Sequence, residues 1–388
     1  MPFLGNPMKG NSIMNSRERV LAALNHQVPD RVPVDFGSFP GATSINVRAY
    51  QNLLEYFGLD REVRIANILM FTAEVDQDIL DRFHIDTVSI KPTLSHKEFG
   101  IPDEFIDRPW AVKWRRSSDF TYAPAEGPFQ KIDRPTVDDL RRFPWPKPSD
   151  VEDFKRWGEK AKKTRAESDR ALVARLPSGI FTLAQFMRGF EGWMIDLLLN
   201  REFSDALHEK LTEIWTETAE GILEAVGDNI DIVMFGDDFG LQNQPIVSPT
   251  MFREQMKPWL QKAISRIKKL TKAKVALHTC GSVFLYLDDF VDIGIDVLNP
   301  LQANAKDMDP AKVKGKVGKH LALWGGIDTH EVLPKGSPED VRREVKTKIE
   351  ILGKGGGYLC SADHNILVDI PPENLIAMFD AAAEFGQY

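Results

Sequence analysis

Cysteine is scarce in this chain of 388 residues, which has only Cys280 and Cys360. Two thiols leave no room for the disulfide framework of a small secreted scaffold, and they suit a reducing cytoplasm. Long apolar runs are missing too, since none approaches the roughly 18–20 residues of a membrane span. Residues 1–14 hold one lysine and no apolar core, so they do not read as a secretory signal, and a flexible tail is expected there. Positive charge is not in excess either. A formal net charge of -8 argues against a surface built for nucleic acid or for an anionic membrane. No glycine-rich loop follows the first strand, which weakens an open doubly wound sheet of the nucleotide-binding kind.

What the chain does have is alternation. With 43% hydrophobic and 27% charged residues it can bury a large core, and residues 15–388 are expected to form one α/β domain. A helix capped by Asn15, with Glu18 in its third position, precedes a short strand at Val32–Gly37. Helices near Val47–Phe57 and Ala73–Phe83 follow, then a strand at Asp86–Ile90. The rhythm resumes after residue 150 with a charged helix (Val151–Ser168), a strand (Ala171–Pro177) and helices over Phe181–Asn200 and Glu202–Val226. Further strands are read at Ile230–Asp238, Ala273–Gly281, Asp296–Gln302, Leu321–Asp328 and Gly357–His364, with a helix from Ser248 to about Leu270 and a last one over Pro372–Phe385. Strands alternating with helices in this way predict a (β/α)8 TIM barrel with an N-terminal helical extension. Residues 91–150 break the pattern, being rich in proline and aromatic residues (Trp110, Trp114, Phe120, Tyr122, Phe129, Phe143 and Trp145). They read as an insertion with a hairpin near Trp110–Arg115, serving either as a lid over the substrate or as a loop packed on its own aromatics.

The chemistry centres on Ala273-Lys-Val-Ala-Leu-His-Thr-Cys-Gly281. Side chains at i and i+2 leave the same face of a strand, so His278 and Cys280 point into one space. Cys360 also ends a short apolar run. Two ligands on one strand end and a sulfur on another make a three-ligand zinc site with a position left for substrate. The alternative is two buried thiols and a histidine bonded to backbone. Other polar residues at strand ends are Asp35, Asp237, Asp238, Gln302, Asp328, Asp363 and His364, where such a barrel keeps its site. Asp237 or Asp238 either orients His278 through its other ring nitrogen or caps the next helix. The fourth metal position goes to substrate, water, or a side chain from Gln302, Asp237 or Glu74. Gln242, Asn243, His364 and Asn365 lie in loops where they meet substrate. The rings of Phe36, Phe39, Phe181, Phe186 and Trp193 either line a pocket or pack the core.

Val32-Pro-Val-Asp-Phe-Gly37, Gly236-Asp-Asp-Phe-Gly-Leu-Gln-Asn243, His278-x-Cys-Gly281, Leu298-Asn-Pro-Leu-Gln302, Gly325-Gly-Ile-Asp328 and Cys360…His364-Asn-Ile…Pro371-Pro-Glu-Asn374 resemble the uroporphyrinogen decarboxylase superfamily. The resemblance implies a (β/α)8 fold and one of two chemistries: a metal-free decarboxylase, or a zinc-dependent methyltransferase working with a corrinoid protein. Where the decarboxylase carries an arginine-rich segment, this chain reads Gly37-Ser-Phe-Pro-Gly-Ala-Thr-Ser-Ile-Asn46, which leaves a many-carboxylate tetrapyrrole without counter-charges. The resemblance to the methyltransferase branch implies His278, Cys280 and Cys360 as zinc ligands, while Asp237 and Gln302 are expected in catalysis from their strand-end positions. Phe36, Asp238, Gln242, Asp328, His364 and Asn365, by their places at the barrel mouth, are expected at the substrate. The expected reaction moves the O-methyl group of a methoxylated aromatic compound to the cob(I)alamin of a separate corrinoid-binding protein. Methylation of a thiol from methylcobalamin, decarboxylation, and a non-catalytic metal-bearing scaffold are the alternatives. No nucleic acid or membrane partner is expected, and a homodimer is compatible with the sequence.

Overall fold

A computed structural model describes residues 14–92, 102–117 and 121–388, so the expected tail, apart from Met14, lies outside the described residues, as does Phe120. Seven parallel strands form the centre: β1 (Thr87–Ser89), β2 (Ala171–Arg175), β3 (Ile232–Gly236), β4 (Lys274–His278), β5 (Val297–Leu301), β6 (Ala322–Ile327) and β7 (Tyr358–Ala362). They are hydrogen-bonded in chain order from β1 to β7. The stave expected at Val32–Gly37 closes the ring with a single parallel bridge between Val34 and Cys360. Asp35 N donates to the Cys360 carbonyl and Cys360 N to that of Pro33, each at 2.9 Å, while Asp86 N donates to the Val34 carbonyl at 2.8 Å. Pro33 has no N–H to extend the ladder, which keeps this stave short.

Both faces of the sheet are buried, so its strands read as continuous apolar runs. Ala171, Val173, Ile232, Met234, Ala276, Val297, Ala322, Trp324 and Leu359 share the barrel interior with Val20 and Leu24 of the helix Ser16–Leu24 and with Phe39 and Ala42. That helix carries the expected capping box between Asn15 and Glu18. Leu172, Ala174, Val233, Phe235, Val275, Leu277, Leu298, Leu323, Tyr358 and Cys360 face the helical layer instead.

Four expected helices differ in form, the one read from Val151 beginning at Phe154 after a separate helical turn Pro148–Val151. The helix read from Ala73 begins at Gln77, after a two-residue strand at Thr72–Ala73. The stretch Phe181–Asn200 divides into Ile180–Arg188 and Phe190–Leu199, with Gly189 between them at a φ of +75° that favours glycine. The stretch from Ser248 divides into Pro249–Gln255 and Lys257–Leu270. Pro258 cannot donate to Glu254 four residues earlier, and the Glu254 carbonyl accepts from Arg201 at 3.3 Å instead.

Within residues 91–150 the described part forms an antiparallel sheet of Glu104–Ile106, Lys113–Arg116 and Tyr122–Glu126, then helices Val137–Arg142 and Pro148–Val151. Its rings pack on one another and on the helical layer: Trp114 lies 5.1 Å from Phe186, and Phe129 lies 5.2 Å from Phe143 and 6.0 Å from Phe203. Among the described residues no helix is long and apolar enough to cross a membrane.

Candidate functional site

β4 ends at His278, and the chain turns sharply at Gly281. The turn needs glycine: φ is +82°, and a Cβ there would stand 2.6 Å from the Gly240 backbone. It leaves Cys280 Sγ 3.4 Å from His278 Nε2. From the far side of the mouth, the bend after β7 brings in His364, whose ring centroid is 5.8 Å from that of His278. The donor atoms of His278, Cys280 and His364 all lie within 4.8 Å of one another. His278 Nδ1 is 2.6 Å from Asn299 Oδ1. An amide oxygen can only accept, so Nδ1 carries the proton and the lone pair of Nε2 faces the cluster. Phe39 covers the imidazole, with ring centroids 5.7 Å apart.

Burial sets the charge state of these donors. It pushes His278 below its usual range, against Asp238 and the Asn299 bond, and pushes His364 down to about 4 with His278 adding to the effect. Both imidazoles are therefore neutral, the form that ligates a metal. Burial also raises the Cys280 thiol well above its usual range, reinforced by nearby Asp238 and Asp363. Such a thiol keeps its proton unless a cation stands beside it. Two neutral imidazole nitrogens and one thiol converging at the C-terminal ends of barrel strands are a donor set that fits zinc.

Comparison with known proteins agrees with this architecture. A family model described as Uroporphyrinogen decarboxylase (URO-D) matches residues 115–385. The chain belongs to this family. A uroporphyrinogen decarboxylase of Psychromonas ingrahamii is 25% identical over 183 residues, which cover 46% of this chain and 49% of that protein. One from Pseudoalteromonas atlantica is 24% identical over 273 residues, covering 67% and 72% respectively. The chain thus spans about half the length of the first of these relatives. A solved structure of a methyltransferase from Methanosarcina mazei superposes with a TM-score of 0.64 at 21% identity, over 96% of this chain and 99% of that one. At that identity the likeness is one of fold.

Within this family frame the expected site residues separate into two groups. Cys360 is not brought to the cluster. It is fully buried on the outer face of β7, beside Tyr358 and under the charge of Lys348, and burial pushes its thiol up to about 11. His364 occupies the third position instead. Asp237 is turned away as well: its Oδ1 accepts from Thr182 N at 2.7 Å and Thr182 Oγ1 at 2.9 Å, and its Oδ2 accepts from Phe181 N at 3.1 Å. It caps the helix Ile180–Arg188, and burial raises it to about 7 against those donors. Asn299, not Asp237 or Asp238, orients His278. Phe36 packs in the outer core, 5.0 Å from Phe379 and 6.3 Å from Phe83. Phe181 and Trp193 are likewise core, both against His208, and Phe186, half-buried, packs on Trp114. Glu74 pairs with Arg64 at 3.2 Å.

Other expected residues support the cluster. Asp238 Oδ1 accepts from Cys280 N at 2.9 Å, and Gln302 Oε1 accepts from Gly281 N at 2.7 Å, so together they hold the turn that aims the thiol. Gln242 Oε1 accepts from Gln302 Nε2 at 3.3 Å. Asp328 Oδ1 accepts from Asn304 Nδ2 at 3.2 Å and His330 N at 2.7 Å, within the loop that follows β6. Asn365 fastens the Phe39 loop, accepting from Ser44 N and donating to the Gly41 carbonyl, each at 3.0 Å. The sequence reading passed over Asn299 and Arg175. Both lie at the inward parity of their strands, with Val297 and with Ala171 and Val173, and that parity was the signal available.

Proposed function

We propose that the protein is a zinc-dependent methyltransferase that moves the O-methyl group of a methoxylated aromatic compound to the cob(I)alamin of a separate corrinoid protein. The convergence of His278, Cys280 and His364 at the barrel mouth carries this reading. These three side chains would hold the zinc and leave one coordination position for substrate. When bound, zinc supplies Lewis acidity to the ether oxygen, which lowers the cost of releasing phenolate. The chain's own residues prepare that chemistry. Asn299 keeps the His278 proton on Nδ1, Asp238 and Gln302 fix the Cys280 turn, and Phe39 keeps water from the imidazole face. In the transfer the C–O bonding pair stays with the phenolate oxygen, and the reduced cobalt donates the pair that forms the new bond to the methyl carbon. The corrinoid protein docks over the mouth, since the cobalt must approach the methyl opposite the departing oxygen.

The decarboxylase activity named for the curated relatives is disfavoured by the loop Gly37–Asn46, which has no basic residue for a tetrapyrrole's carboxylates. A spectroscopic assay of cob(I)alamin conversion to methylcobalamin, with methoxybenzoates, methoxyphenols, methylamines and methyl thioethers as donors, tests the proposal. Turnover with the aryl ethers is expected. Activity confined to thiol methylation would reassign the task, and CO2 release from uroporphyrinogen would replace it.

A further inference from the structure

A cavity of about 350 Å³ has Arg175 in its wall, and the guanidinium of Arg175 stands over Phe39, the ring that covers His278. That volume is the lower end of the range for small-molecule sites, roughly 300–1,000 Å³, and suits a single ring. Its walls are apolar, from Ile65, Ile68, Leu69 and Val151, while Lys91 and Arg175 face into it. Leu69 is held in place from the insertion, its carbonyl accepting from Tyr122 N at 2.7 Å. Arg175 ends β2 on its inward face, and its guanidinium sits 5.6 Å from the centroid of Phe39. Phe39 in turn lies 5.7 Å from His278. The Nε of Arg175 is buried with no hydrogen-bond partner, and the charge that acts on its guanidinium is that of Glu152, which makes no hydrogen bond to it. Its neighbour Lys91 has one distant carboxylate, Glu152 at 3.8 Å, whose other oxygen accepts from Trp157 Nε1 at 3.0 Å. Asp153, which also borders the cavity, caps the helix Phe154–Glu167 through Arg156 N. Lys91 and Arg175 therefore stand together in a largely apolar cavity that Glu152, Asp153 and Arg156 also border, and the orphaned buried Nε of Arg175 is a costly feature without a ligand.

We propose that Arg175 and Lys91 bind the carboxylate of a one-ring substrate in this cavity, directing the rest of the ring past Phe39 toward His278, Cys280 and His364. The inference rests on the methyltransferase reading for the rest of the molecule, and narrows its donor to aryl methyl ethers bearing one carboxylate. Two cations serve one carboxylate, not the many of a tetrapyrrole. Burial, followed by repulsion from Arg175, already pushes Lys91 down to about 8, and an anion placed between the two would relieve that repulsion.

Calorimetric titration of the full chain with 4-methoxybenzoate and with neutral 4-methoxyphenol, in the absence of any corrinoid, tests the site apart from catalysis. Arg175→Met is expected to weaken 4-methoxybenzoate about tenfold to a hundredfold, as loss of a charge-assisted contact does, and to change 4-methoxyphenol less than threefold. Lys91→Met should act in the same direction, and Arg175→Lys should restore part of the preference; these two variants decide the matter if Arg175→Met does not fold. Wild-type protein that fails to bind 4-methoxybenzoate at millimolar concentration, or binding that changes less than twofold in Arg175→Met and Lys91→Met, overturns the proposal. Arg175-dependent binding without methyl transfer from any donor would leave the anion site standing and remove the methyltransferase reading. Methyl transfer with no Arg175 dependence of binding would do the reverse.

Discussion

One of the chain's cysteines lies just past β4 and the other in the middle of β7, and while the first thiol meets two imidazoles the second lies in the wall. In β4 the side chain of Ala276 points into the barrel, so His278 does too, and the Gly281 turn keeps Cys280 beside it. In β7 it is Leu359 that points inward, which sends Tyr358 and Cys360 to the helices. The chain then bends at Asp363–His364, and this bend returns His364 to the mouth where continued strand alternation would have turned it away. Residue type at a strand end therefore says little about ligation until the parity of the strand is known.

The largest expected difference between these two places is in metal retention. His364→Ala and Cys280→Ser should lose stoichiometric zinc, while Cys360→Ala keeps it, as measured by elemental analysis after dialysis against a weak chelator. A smaller effect is expected one layer out. Asn299→Ala removes the partner of His278 Nδ1 without removing a donor, and zinc affinity should fall about 10- to 100-fold, as it does when such partners are lost. A competition titration against a chromophoric chelator reads this directly, and unchanged affinity would remove Asn299 from the account. An effect on stability rather than on metal belongs to Cys360 and to alkaline pH. Its folded-state pKa, about 11, lies above its usual value of 9.0, so folding holds the proton more tightly than the unfolded chain does. That contribution is complete below pH 9 and is lost as pH rises through 11. Denaturant melts should show wild type losing on the order of 2 kcal/mol more stability than Cys360→Ala across that window.

Much of the fold was legible because parallel strands and helices alternate in composition as well as in space. The helix Pro372–Phe385 and the Asn15 cap stand where the sequence placed them. The misread helices break at Gly189 and Pro258, two residues whose local cost outweighed an otherwise continuous apolar pattern. The spacing of His278 and Cys280 was legible by strand geometry alone. Cys360 was not, because Leu359 and Cys360 are both apolar and both fully buried, so hydrophobicity cannot tell which faces inward. Asp237 illustrates the same limit for acids: a carboxylate at a strand end serves a helix N-terminus as readily as a metal site, and here the amides of Phe181 and Thr182 hold it. The aromatics of residues 91–150 were legible as an insertion, while their partners, Phe186 and Phe203, became visible only with the helices in place.

X-ray absorption at the zinc edge of the metal-loaded wild-type protein tests the central claim most directly, because it counts the ligand types. The structure predicts a shell with one sulfur and two imidazole nitrogens, from Cys280, His278 and His364. A shell with two sulfurs and one imidazole would return Cys360 to the site and contradict the account.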